Sequence, residues 1–73
     1  MSPNTLRAMQ SAITASPLSV LAVPDLVRIG GLSLRQARKI LKACAGPGAE
    51  TASRQSVLAW IGNALKSDYY GPL

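Results

Sequence analysis

Closely spaced prolines and glycines divide this chain into short segments. Pro17 ends the first segment, because the residue before a proline is pushed out of the α region. Gly30-Gly31 ends the second segment, and Gly46-Pro47-Gly48 ends the third. The segments between these breaks carry apolar residues at helical spacing. The sequence therefore predicts a mainly α fold of three to four short helices.

The first segment predicts an amphipathic helix. Pro3 suits a first helical position, since its missing N–H loses no hydrogen bond there. Leu6, Met9 and Ile13 follow at helical spacing. We interpret residues 1–17 as an N-terminal helical extension, and we expect part of its apolar face to remain uncovered in a single copy.

Two short strands are predicted to form a minimal wing. Residues 18–23 combine β-branched residues with rough alternation, and residues 49–53 are the expected partner strand. Between them, Pro24-Asp25 opens a short helix, because proline and an acid both suit a first turn. A last helix over about residues 53–66 carries its apolar residues on one side. These are Val57, Leu58, Ile61, Ala64 and Leu65.

The helix that begins after Ser33 has two unlike faces. Ser33 and Gln36 fit a capping box, in which each side chain satisfies a free backbone amide of the other. The basic residues of this helix fall within an arc of about 100° and form what we call the cationic stripe. They are Arg35, Arg38, Lys39 and Lys42. The residues expected to pack on the opposite face are Leu34, Ala37, Ile40, Leu41 and Cys44.

The charge balance indicates a polyanion as the partner. The 73 residues include 8 Lys and Arg against 3 Asp and Glu, for a formal net charge of +5. No acidic residue lies between Leu26 and Ala49. Like charges four residues apart on a helix repel each other by about 0.2–0.5 kcal/mol per pair. A helix that carries such pairs and no acidic residue is stabilised when an anion binds it, because the anion relieves the repulsion between the like charges.

A short helix, a glycine turn and a capped basic helix follow the layout of a helix-turn-helix, whose second helix lies in the major groove of DNA. Arg35, Gln36 and Arg38 are then best placed to contact bases, and Lys39 and Lys42 to contact phosphates. The full predicted DNA-binding set is Arg28, Ser33, Arg35, Gln36, Arg38, Lys39, Lys42 and Arg54.

Residues 23–38, Val-Pro-Asp-Leu-Val-Arg-Ile-Gly-Gly-Leu-Ser-Leu-Arg-Gln-Ala-Arg, resemble the opening of excisionase and AlpA-type proteins of the MerR-like winged-helix superfamily. Residues 54–61, Arg-Gln-Ser-Val-Leu-Ala-Trp-Ile, are similar to the last helix of that family. The resemblance covers about residues 18–66 and implies a winged helix-turn-helix DNA-binding domain there. It also implies a recombination directionality factor or phage-type regulator that binds DNA cooperatively and bends it. The predicted wing carries no basic residue at its tip, and Arg54 is the expected substitute.

Three alternatives stay open at this point. The DNA-recognition part of a small phage terminase subunit shares the fold and differs in its partner. A protein-binding helical module, an inhibitor or adaptor, would dock its basic helix on an acidic partner. In the third alternative, the cationic stripe is a solvated helix face that binds no ligand. For the leading hypothesis we expect double-stranded DNA and a site-specific recombinase as partners, and a homodimer or cooperative oligomer on DNA.

The composition argues against an enzyme and against a metal or cofactor site. The chain has no histidine and a single cysteine, Cys44, which we interpret as a small packed hydrophobe. Gly46-Pro47-Gly48 lacks the lysine of a phosphate-binding loop. Trp60, among apolar neighbours, is expected in the core or at a subunit contact. No segment has the features of a signal peptide or a membrane span, so we expect a cytoplasmic protein of a bacterium or phage, with residues 67–73 as a flexible tail.

Overall fold

A computed structural model describes residues 3–66 and gives four helices with a two-stranded antiparallel sheet. In chain order the elements are α1 (Pro3–Ala15), β1 (Val20–Ala22), α2 (Val23–Gly30), α3 (Leu34–Ala45), β2 (Thr51–Ser53) and α4 (Arg54–Lys66). The predicted class is confirmed: this is a small, mainly α fold of the winged helix-turn-helix kind. The predicted tail over residues 67–73 lies outside the described residues.

The sheet joins two strands that are distant in sequence. Val20 pairs with Ser53, Leu21 with Ala52, and Ala22 with Thr51. Both strands are shorter than the predicted ranges, 18–23 and 49–53. The central pair is buried, so one face of the sheet closes over the core. The sheet thereby fixes the beginning of α2 next to the segment that follows α3.

α1 packs against α4 and α2. Leu6, Met9 and Ile13 are each 0% exposed. The expectation that part of this apolar face stays uncovered in a single copy is therefore wrong, because the other helices of the same chain cover it. α1 belongs to the same core as the rest of the domain, and the argument for a dimer drawn from its apolar face no longer holds. The oligomeric state itself stays a prediction.

The two glycines between α2 and α3 have different roles. Gly31 has φ 65°, in the left-handed region where glycine meets no steric penalty. Gly30 lacks a positive φ and instead allows a close approach. A Cβ at Gly30 would lie 3.1 Å from Cγ of Met9. One glycine thus turns the chain, and the other lets α1 pack against the end of α2.

Every buried side chain within residues 3–66 is apolar, and these side chains form the core. Its members are Leu6, Met9, Ile13, Leu21, Leu26, Leu32, Ala37, Ile40, Leu41, Ala52, Val57, Ile61 and Ala64. Trp60 and Cys44 are partly buried against it, in agreement with the packing roles predicted for them. α4 begins at Arg54, and the Ser53 hydroxyl just before it accepts a hydrogen bond of 3.1 Å from the Ser56 amide. This is the geometry of a helix cap.

Candidate nucleic-acid interface

The first turn of α3 is held by a reciprocal cap. The Gln36 amide donates a hydrogen bond of 3.2 Å to Oγ of Ser33, and the Ser33 amide donates one of 3.2 Å to Oε1 of Gln36. The predicted capping box is confirmed. At the other end, the Gly46 amide donates a hydrogen bond of 2.9 Å to the Lys42 carbonyl oxygen. The length and the start of α3 are therefore fixed by local bonds.

The buried side of α3 holds the helix against its neighbours. Ala37, Ile40 and Leu41 are each 0% exposed and contribute to the packing of α3 against α2 and α4. Since these residues and the cationic stripe occupy opposite arcs, the packing turns the stripe toward solvent.

Three of the four stripe residues are exposed. They are Arg35, Arg38 and Lys42, and Lys39 is half-buried. Among residues 3–66, no hydrogen bond or ion pair engages the side chains of the three exposed cations. Their charge is therefore unneutralised by the part of the chain that the structure describes. A surface of this kind attracts anions through the field of the whole cluster.

Leu34 departs from the sequence prediction. It was expected on the packed face, but its side chain is 54% exposed, so that expectation is wrong. On an ideal helix at about 100° per residue, Leu34 lies about 70° from the centre of the buried arc and about 40° from Arg38. It also occupies the first helical position, where the chain has just left the core. A border position in a first turn explains the exposure.

Arg28, on α2, pairs with an acid of its own helix. Its Nη2 donates a hydrogen bond of 2.9 Å to Oδ1 of Asp25. The other oxygen of Asp25 accepts a hydrogen bond of 2.9 Å from the Ala22 amide, which confirms the predicted role of Asp25 as a first-turn acid. The charge of Arg28 is partly neutralised locally, so it adds less to the field around α3 than the stripe residues do.

Arg54 connects α4 to the end of α1. Its guanidinium donates hydrogen bonds of 3.0 Å to the Ser16 carbonyl oxygen and 3.3 Å to the Thr14 carbonyl oxygen. Those carbonyls are at the negative end of the α1 dipole, which favours a cation. The sequence prediction made Arg54 the substitute for a basic wing residue. The structure gives it bonds to α1, a role that depends on contacts between distant parts of the chain.

Ser33 and Gln36 use their polar atoms in the cap. Oε1 of Gln36 accepts hydrogen bonds from the Ser33 amide and, at 3.4 Å, from the Ser33 hydroxyl. An oxygen that has accepted two hydrogen bonds has no lone pair left for the adenine amino group, which a bidentate glutamine contact would require. In this conformation Ser33 and Gln36 position α3, and their side chains are poorly suited to contact bases because their polar atoms are engaged in the cap.

A groove of about 640 Å³ runs beside the stripe. It separates α3 from the start of α2 and from the wing loop, which we define as residues 46–50. Arg38 and Lys42 line one side, and the exposed carboxylate of Glu50 lies on the wing-loop side. Glu50 was not among the predicted site residues, although the lack of basic residues in this loop pointed to a weak contact with phosphates.

No family model, no curated protein and no solved structure matches this chain. The resemblance to excisionase and AlpA-type proteins therefore depends on the residue pattern quoted for it. Among residues 3–66, no helix combines the length and the apolar character needed to cross a membrane. Within the same range, no three histidine, cysteine or acidic side chains come together as a metal site would require.

Proposed function

We propose that this chain binds double-stranded DNA, with α3 in the major groove. The observation that carries the proposal is the cationic stripe on a capped helix, which is the second helix of a helix-turn-helix pair. Arg35, Arg38 and Lys42 are exposed, and α3 contains no acidic residue. Each phosphate that they neutralise would release a condensed counterion, and this release is the main source of affinity for DNA at low salt.

The residues divide by their position along α3. Arg35 and Arg38 lie in the first half of the helix, which approaches base edges in this docking geometry. Arginine there suits a bidentate contact with guanine. Lys42 lies one turn after Arg38 and borders the groove beside the wing loop, where it suits a phosphate. Ser33 and Gln36 support α3 by capping it. Arg54 supports the fold around α3 by connecting α4 to the end of α1.

The biological role proposed is that of a mobile-element accessory protein, an excisionase or a small transcriptional regulator. The family resemblance of residues 23–38 and 54–61 supports this role, together with the confirmed fold class. A bent duplex would supply the geometry that a site-specific recombinase needs. A chain of this size, encoded by a bacterium or a phage, would then act as an architectural factor in the bacterial cytoplasm, without chemistry of its own.

Electrophoretic retardation of a random-sequence duplex at two salt concentrations tests the proposal. We compare the double variant Arg38→Gln/Lys42→Gln with the control Arg7→Gln/Lys66→Gln. Both remove the same charge, but Arg7 and Lys66 are exposed residues of α1 and α4 outside the stripe. On this random-sequence duplex the first variant is expected to bind more weakly and to lower the salt slope by about one, the share of the phosphate contact of Lys42, while the control stays close to the wild type.

The opposite results overturn the proposal. Absence of retardation at low salt would assign the stripe to an acidic protein partner instead. Equal losses in the two double variants would mean that net charge alone attracts the duplex and that α3 is not its docking element. Circular dichroism and thermal unfolding of both variants show that the comparison concerns folded proteins.

A further inference from the structure

Leu34 is an exposed apolar side chain at the edge of a cationic surface. It is 54% exposed and is the first residue of α3, directly after the cap at Ser33. Arg38 follows it by four residues, so that the two side chains are neighbours along the helix. Its position is fixed, since the capping box orders the backbone on which it stands.

The surroundings of Leu34 indicate which kind of partner would cover it. A protein partner that docks on apolar surface needs a contiguous apolar patch. Leu34 is instead bordered by the exposed cations Arg35 and Arg38. Within residues 3–66, the other large hydrophobic side chain with comparable exposure is Val20, at 52% on β1. A single apolar group surrounded by positive charge suits a partner that is mainly anionic and carries small apolar groups between its polar atoms.

The major groove of DNA has this chemistry. Its edges present hydrogen-bond donors and acceptors, with phosphates at the rims, and one apolar group, the C5 methyl of thymine. We infer that Leu34 is a specificity-determining residue that packs against a thymine methyl next to the base contacted by Arg35 or Arg38. The inference rests on the proposed function and adds to it a base preference that hydrogen bonds alone would not give.

The test begins with a duplex selected by the wild-type protein from a randomised pool. Each thymine of the selected site is then replaced in turn by deoxyuridine, which removes the methyl and keeps every hydrogen-bonding group. Binding is measured for the wild type, for Leu34→Ala and for Val20→Ala, which truncates the other exposed hydrophobic residue. Removal of one buried methyl corresponds to an affinity loss of about fourfold.

One deoxyuridine position is expected to lower wild-type and Val20→Ala affinity by about fourfold, and to leave Leu34→Ala affinity unchanged. Equal effects of deoxyuridine on all three proteins would overturn the inference. So would a selected site in which no thymine responds, or a Leu34→Ala variant that loses only cooperativity between copies. These outcomes leave DNA binding itself intact. If the wild type retards no duplex, the proposed function fails, and the inference fails with it.

Discussion

The Arg54 guanidinium lies 3.0 Å from the carbonyl oxygen of Ser16, a residue 38 positions earlier in the chain. A second donor of the same guanidinium reaches the Thr14 carbonyl oxygen, and the Arg54 amide donates to the Ser19 carbonyl oxygen at 2.9 Å. One residue thus connects the end of α1, the approach to β1 and the start of α4. These bonds add to the packing of α1 against α4 and to the pairing of β1 with β2.

Arg54→Ala is expected to destabilise the fold by about 1–2 kcal/mol, because the carbonyls at the end of α1 lose charge-assisted partners. Chemical denaturation followed by circular dichroism measures the loss. Arg7→Ala is the control, since it removes the same charge from an exposed position on α1. If the two variants unfold at the same denaturant concentration, the Arg54 bonds do not contribute to stability. At temperatures where both are folded, Arg54→Ala should bind random duplex about as well as Arg7→Ala.

A pair of glycine substitutions should change stability in opposite directions. Gly31→Ala is expected to destabilise by about 1–2 kcal/mol, because alanine is strained at φ 65° even though the space around it is open. Gly62→Ala, within α4, is expected to stabilise by about 0.5–1 kcal/mol, because a Cβ there meets no atom within 4 Å and alanine favours a helix. Thermal unfolding of both variants measures this contrast. Changes of the same sign would contradict the backbone argument.

Arg35 and Lys42 should differ in the kind of binding they support. Arg35→Ala is expected to weaken binding to a selected site by about 1–3 kcal/mol, with a small effect on random duplex, because a base contact is lost. Lys42→Ala should weaken both equally and lower the salt slope by about one. Titrations of each variant against both duplexes, over a range of salt concentrations, measure the difference. If Arg35→Ala, like Lys42→Ala, lost affinity equally for the selected and the random duplex, Arg35 would be a phosphate contact and not a base contact.

The carboxylate of Glu50 should oppose DNA binding. It lies on the wing-loop side of the groove that Arg38 and Lys42 line, where a phosphate strand would approach. Glu50→Gln is expected to raise the affinity for random duplex by about twofold at low salt, and the gain should disappear at high salt because the repulsion is screened. Glu50→Asp retains the charge and serves as the control. Unchanged or weaker binding by Glu50→Gln would mean that the duplex does not reach the wing loop.

The Cys44 thiol should be unreactive at neutral pH in the folded protein. Partial burial raises its pKa from 9.0 to about 11, so the nucleophilic thiolate is scarce. Alkylation by iodoacetamide near pH 7.5 is expected to be slower in the folded protein than in urea. Above pH 9 the unfolded chain releases this proton while the folded chain keeps it. The contribution of Cys44 to stability is therefore present below pH 9 and declines as the pH rises toward 11.

Unfolding measured at several pH values for the wild type and Cys44→Ala isolates this effect, since all other titrating groups are common to both proteins. The free energy of unfolding should decline less with rising pH in Cys44→Ala than in the wild type. Equal pH dependence in the two proteins, or equal alkylation rates with and without urea, would show that the thiol is not desolvated.

The features that could be predicted from the sequence are those set by residues close together in the chain. The cap formed by Ser33 and Gln36 joins residues three apart, and the turn at Gly31 is a property of one residue, so both could be inferred from the pattern. The bonds of Arg54 to Ser16 and Thr14 could not, because they depend on how α1 and α4 pack. Leu34 was misplaced for a related reason. Helical periodicity gives the arc of a side chain, but not whether a neighbouring element extends far enough to cover it.

Glu50 illustrates a further limit of sequence reasoning. Its place opposite Arg38 and Lys42 results from the path of the wing loop, in which Gly46 and Gly48 both have positive φ. A sequence pattern shows that a loop is present but does not give its direction.

The pairing of Leu21 with Ala52 also has a consequence for synthesis on the ribosome. β1 leaves the exit tunnel before α2 and α3, whereas its partner strand emerges only after them. The turn and the cap between α2 and α3 are local, but helices of 8 and 12 residues are marginal in water until they pack against other elements. The nascent chain cannot hold α2 and α3 in their final orientation until Thr51–Ser53 and the first turns of α4 have been translated. The proposed DNA affinity should therefore arise abruptly, once β2 and α4 are in place, rather than in proportion to the length of chain already made.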